Sequence, residues 1–123
     1  MCKFNLQLDY YEILNLHKAL LEAKFHLNPD NELVSGSPLV ADIYVQVREL
    51  LINSNKSAQW LEWFQLKNRP DYRKRAILLM KTCKHWSGAS FNEKQKIAQN
   101  FLSPFFYDET ELKEAVNEAD KNY

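Results

Sequence analysis

The sequence predicts an all-α fold: a single compact domain over residues 1–123, built from five to six short amphipathic helices in a bundle-like or orthogonal arrangement. Three observations carry this expectation. Apolar residues recur at helical spacing in successive stretches of the chain. Asp9 with Glu12, Ser90 with Glu93 and Asp108 with Glu111 form capping-box patterns just ahead of three of those stretches. Two glycines and four prolines in 123 residues leave little material for a turn-rich β-sandwich or a disordered linker. With 46% apolar and 13% aromatic residues, the chain has the means to build a core without staples.

The first helix starts at the cap Asp9, flanked by Leu8 and Ile13 in hydrophobic-staple positions, and is expected to run to about Leu27. Tyr10, Ile13, Leu14, His17, Leu20, Leu21 and Phe25 share its broad apolar face. Asn28-Pro29-Asp30 ends it, because proline cannot continue the hydrogen-bond ladder, and residues 28–37 read as a loop. Ser37 then caps a second helix with Pro38 in its first turn. Leu39, Ile43, Val47, Leu50 and Leu51 are its expected core stripe, with Val40 and Tyr44 alongside, and Asn53-Ser54-Asn55 breaks it.

A third helix, about Ser57 to Lys67, is short and carries Trp60, Leu61, Trp63 and Phe64. The fourth, about Asp71 to Trp86 and stopped near Gly88, places Tyr72, Ala76, Leu79, Met80, Cys83 and Trp86 on its apolar side. Ser90 opens the fifth, whose stripe is Phe91, Ile97, Ala98, Phe101 and Leu102, and Ser103-Pro104 closes it. Asp108 opens the sixth, with Tyr107 and Leu112 as a staple and Leu112, Ala115, Val116 and Ala119 inward. Phe4, Leu6 and Leu8 alternate, but a lone short segment has no partner strand.

Asp9-Tyr10-Tyr11-Glu12-Ile13-Leu14 resembles the opening of a J-domain, a co-chaperone module, and Asn28-Pro29-Asp30 resembles that family's His-Pro-Asp loop. Asn28 stands where the family has its essential His, and one helix spans an interval in which a J-domain needs a further basic helix. The chain is therefore not assigned to that family.

Charge is neutral in total and uneven along the chain. Residues 1–66 hold five cations and eight acids, net −3; residues 67–84 hold seven cations and one acid, net +6; residues 108–121 hold two lysines and six acids, net −4. The fourth helix is thus the candidate binding element. Arg73, Lys74, Ile77, Lys81, Lys84 and His85 are expected on its arc away from the core, and Trp63 is the candidate aromatic anchor of the preceding helix. The acidic helix over 108–121 either covers that arc or stays mobile beside it.

Catalytic and metal chemistry find no signature. A glycine-rich phosphate loop and a nucleophile elbow are both missing. No Cys-x-x-Cys, His-Glu-x-x-His or Glu-x-x-His occurs, so no metal or other cofactor is implied. His17 lies within an apolar face and reads as a buried, hydrogen-bonded imidazole; Glu22 and His26 are four residues apart and share a helix face. Cys2 and Cys83 are expected as free thiols.

The start, MCKFNLQL, lacks the apolar run of a signal peptide and no window reaches transmembrane length, so a cytoplasmic protein without a membrane role is expected. The leading expectation for function is a small intracellular non-enzymatic protein-binding or regulatory module with a protein partner, an acidic one being one option. The alternative is nucleic-acid binding, with residues 57–86 forming a helix-turn-helix-like pair, and a weaker one is an enzyme or metal-binding protein without a recognisable motif. Homo-oligomerisation is compatible with either.

Overall fold

The computed structural model describes residues 3–28 and 31–121. Among them seven α-helices form, one more than the upper expectation: α1 (Tyr10–Phe25), α2 (Glu32–Ser35), α3 (Pro38–Ile52), α4 (Ser57–Trp63), α5 (Pro70–Thr82), α6 (Phe91–Leu102) and α7 (Glu109–Asp120). A 3₁₀ turn, Leu66–Asn68, joins α4 to α5. Among the described residues there is no strand, only an isolated parallel bridge between Gln65 and Phe106. Cys2, Pro29 and Asp30, named above, lie outside the described residues.

The caps sit where local sequence places them. Asp9 accepts from the Glu12 N–H at 2.8 Å while Glu12 accepts from the Asp9 N–H at 3.0 Å, a closed capping box. Ser90 and Asp108 cap α6 and α7 by accepting from the N–H groups of Glu93 and Glu111, at 3.2 and 2.7 Å. Ser37 caps α3 through Val40 at 3.2 Å, with Pro38 in the first turn.

Two helix ends differ from expectation. α4 stops at Trp63 because the next residues turn to pair with a later segment: Phe106 N–H donates to Phe64 O at 2.8 Å and Leu66 N–H to Phe106 O at 3.0 Å. α5 stops at Thr82, not near Gly88; Thr82 Oγ1 donates to Leu79 O at 2.7 Å and Cys83 turns extended, ψ 125°.

α1 packs on α3, which also holds α4; α6 and α7 pack on each other; and α5 runs centrally against α1, α2, α6, α7 and the 3₁₀ turn. One continuous core results, from Ile13 and Phe25 through Tyr44, Leu51 and Phe64 to Met80, Phe101 and Val116.

The expected core stripe of α3 is corrected by the structure. Leu39, Ile43 and Leu50 are 76%, 49% and 56% exposed, whereas Ala41, Tyr44, Val47 and Leu51 are buried. The apolar side of the helix is broad, with the two sets on adjacent arcs, so periodicity alone leaves its exact rotation undetermined. Long-range bonds set that rotation: the Tyr44 hydroxyl lies 2.8 Å from His17 Nδ1, and Ser103 Oγ donates to Ala41 O at 3.0 Å. Phe91, expected in the α6 stripe, is likewise 45% exposed.

α2 occupies part of the expected loop. Four residues cannot sustain a helix alone, so its stability comes from tertiary bonds. Lys24, near the end of α1, is fully buried, and its ammonium donates to Ser35 O at 3.2 Å, Asn100 O at 2.6 Å and Phe101 O at 2.9 Å. These carbonyls belong to the last turns of α2 and α6, where intrahelical donors run out and the helix dipole is negative. In return Ser35 Oγ donates to Lys24 O, and Asn31 Nδ2 lies 2.9 Å from Ala23 O and 2.8 Å from His26 O, capping the end of α1. Gly36 closes α2 against the Phe101 ring so tightly that a Cβ there would stand 2.8 Å from Phe101 Cζ.

Burial pulls the Lys24 ammonium down to about 7, while its three carbonyl acceptors favour the protonated form. Lys24→Met keeps the apolar stem and strands the acceptors. It is expected to lower the urea-derived unfolding free energy by about 3 kcal/mol or more. A loss within about 0.5 kcal/mol, the range of an ordinary surface substitution, would contradict this role.

Candidate functional site

The basic arc expected around the fourth helix is divided by the fold into three parts. Arg73, Ile77 and Lys81, spaced one turn apart, turn toward α7: Arg73 Nη2 meets Glu118 Oε2 at 2.6 Å, and Lys81 Nζ donates to Lys121 O at 3.1 Å. Between them Ile77 is 6% exposed and belongs to the core, which removes it from the candidate interaction surface. The helix at 108–121 is therefore docked along this stripe, with Leu112, Ala115, Val116 and Ala119 buried beneath it.

Lys84 and His85 leave the helix, because α5 ends before them. Both are exposed, and the Lys84 N–H donates to Glu32 Oε1 of α2 at 3.3 Å. Lys74 alone of the expected arc stays on the open face of α5. Its exposed companions there are Asp71, Arg75, Leu78 and Thr82, which share one side of the helix at spacings of three and four. Arg75 lies over the Tyr72 ring, 5.5 Å from its centroid.

Leu78, 40% exposed, leads from this face into a groove of about 700 Å³ between the end of α5, the loop that follows it and the end of α7. Lys81, Lys94 and Lys121 line the groove, with Trp86 in its wall. Asp120 is the acid within it, held by Lys94 Nζ at 2.8 Å and by the Trp86 indole N–H at 2.9 Å. The result is an apolar step bordered by cations. Leu78, Lys94 and Lys121 were not singled out by the sequence. The available signal was Leu78 four residues after Lys74, an apolar residue on the polar side of the helix.

Trp63 is half-buried and takes part in core packing. Its ring stacks on Phe105 with centroids 5.8 Å apart, meets His17 edge-on at 4.9 Å, and carries the Arg69 guanidinium 5.0 Å from its centroid. It is thus committed to intramolecular contacts rather than presented as a free anchor.

His17 is 3% exposed, as expected of a core imidazole, and is enclosed by Tyr44, Trp60, Trp63 and Phe64 in edge-on contacts. With Nδ1 facing the Tyr44 hydroxyl, burial and then the nearby Lys18 charge pull its pKa to about 4. No substrate reaches it. Glu22 and His26 do share a shallow depression of about 310 Å³. Burial pushes the Cys83 thiol up, and its bond to Glu32 adds to this, which works against a nucleophilic thiolate. Among the described residues no group of three or more His, Cys, Asp or Glu side chains could hold a metal ion, and no helix is long and apolar enough to cross a membrane.

No family model, no curated protein and no solved structure matches the chain. The residues themselves are the only guide to function.

Two outcomes test these placements. Ile77→Ala should cost about 2–4 kcal/mol in chemical denaturation, against less than about 0.5 for Lys74→Ala, since only the former removes buried methylenes. His17 binds its proton less readily when folded, so between pH 6.5 and 4 the unfolded chain holds more protons and stability falls as pH falls. That loss amounts to roughly 2–3 kcal/mol across the window. His17→Gln should flatten this part of the stability-against-pH curve, and an unchanged slope would contradict the assignment.

Proposed function

We propose that the protein is a small non-enzymatic binding module whose groove at the ends of α5 and α7 takes an acidic protein segment with an apolar anchor. The observation that carries this reading is Leu78 exposed between Lys74 and Arg75 and opening onto a groove lined by Lys81, Lys94 and Lys121. A Leu-sized anchor contributes about 1.5–3 kcal/mol on full burial. Each exposed ion pair adds only about 0.2–1 kcal/mol. Binding should therefore be weak to moderate and sensitive to salt, with charge steering the encounter and the anchor setting register.

The same geometry supports a protein segment over duplex nucleic acid. A recognition helix must offer a continuous row of side chains to the major groove. On α5, Tyr72 is half-buried, Arg73 is tied to Glu118, Ile77 is in the core, and Asp71 stands on the open face with Lys74 and Arg75.

The probe is a Glu-rich peptide with one central Leu, titrated into isotopically labelled protein. Amide and indole resonances of Leu78, Trp86 and Lys121 should move, and the affinity should drop at least about tenfold in Lys74→Glu/Arg75→Glu. Equal binding of an all-Glu peptide would overturn the anchor, and tighter binding of duplex DNA than of the peptide would overturn the partner class.

A further inference from the structure

α3 presents outward a face opposite in charge to the open face of α5. Leu39, Ile43 and Leu50 are exposed and fall within one narrow arc of the helix, with Gln46 at the remaining position. Asp42 and Glu49 lie along one edge of the arc, both exposed. The helix has a single cation, Arg48, and it is turned aside: it donates to Pro104 O at 2.8 Å, lies 4.1 Å from the Phe106 ring centroid, and touches Glu49 at 3.2 Å. This is an acidic face with apolar anchors, about 16 Å long at the helical rise per residue. The open face of α5, from Asp71 to Thr82, has the same length, one apolar centre at Leu78, and the opposite charge at Lys74 and Arg75.

We infer that the partner of the open basic face of α5, which leads through Leu78 into the groove, is a second copy of this chain, which docks its α3 face, Leu39, Ile43 and Leu50 with Asp42 and Glu49 along one edge, onto Lys74, Arg75 and Leu78. The inference rests on the binding role proposed for that groove. α3 and α5 both pack against α1, α2 and α6, and their outward faces are different patches of one molecule. The contact is therefore heterologous, the α3 face of one copy on the α5 face of the next, and repetition gives rings or open chains rather than an isologous two-fold dimer. One helix face on one groove buries less than the roughly 800 Å² per partner of a stable interface, so association is weak and concentration-dependent.

Sedimentation velocity on the full chain provides the test. At about 50 mM salt the mean sedimentation coefficient should climb as protein rises from about 10 to 500 µM, and at about 500 mM salt it should stay at the monomer value. Lys74→Glu/Arg75→Glu reverses the charge of the open α5 face, and Asp42→Lys/Glu49→Lys reverses that of the α3 face. All four positions are exposed, and circular dichroism establishes that each variant is folded. Each variant alone should remain monomeric, because like charges then meet. An equimolar mixture should associate again, because the native face of one variant meets the native α5 face of the other and the two reversed surfaces are complementary as well.

A wild-type chain that stays monomeric throughout would overturn the inference, as would a mixture that stays monomeric while the wild type associates. If the wild type is monomeric yet still binds the Glu-rich peptide with Leu, only the second-copy assignment falls. If it does neither, the groove reading falls with it.

Discussion

A buried ammonium must find an acceptor for each of its three N–H bonds, and Lys24 finds them at the ends of two other helices. Asn100 and Phe101 close α6, and Ser35 closes α2. Helix ends leave carbonyls without donors, and inside a core those carbonyls would be costly. One side chain therefore solves three problems together and brings α1, α2 and α6 to a single point. The return bonds from Ser35 and Asn31 to the end of α1 make the junction reciprocal. A four-residue helix exists at all because of it, and the close approach of Gly36 to Phe101 follows from the same convergence.

From that junction the rest of the packing is constrained. α1 is held with its aromatic face toward α3 and α4, and His17 becomes the polar centre of a ring of aromatic side chains. Its contact with the Tyr44 hydroxyl fixes the rotation of α3, whose apolar side is too broad to be covered whole. Choosing Ala41, Tyr44, Val47 and Leu51 for the core leaves Leu39, Ile43 and Leu50 in solvent. An exposed apolar row beside acids is thus a by-product of a core hydrogen bond.

α7 shapes the other surface. By packing along Arg73, Ile77 and Lys81 it turns two of the four cations of α5 into internal contacts. What stays open is a smaller set, Lys74, Arg75 and Leu78, and the groove that the end of α7 creates with Trp86 and Lys94. Opposite charges in segments 67–84 and 108–121 partly neutralise each other within the molecule, so the open cationic surface is a remainder of packing rather than the whole basic stretch.

The sequence by itself determined the helical class, the starts of most helices and the buried state of His17. These depend on neighbours three or four residues apart: Asp9 with Glu12, Ser37 with Val40, Ser90 with Glu93, Asp108 with Glu111. Tertiary structure alone decided the rotation of α3, the existence of α2, the early ends of α4 and α5, and the membership of the candidate site. The physical reason is range. Lys24 meets Asn100 and Phe101 across 76 and 77 residues, Tyr44 meets His17 across 27, and Phe64 meets Phe106 from a distant part of the chain. Helical periodicity reports that a face is apolar but not which part of a broad apolar face will be covered, and it reports a charge without its partner. Ile77 read as an odd apolar residue among cations; α7, packed along its stripe, is what made it core.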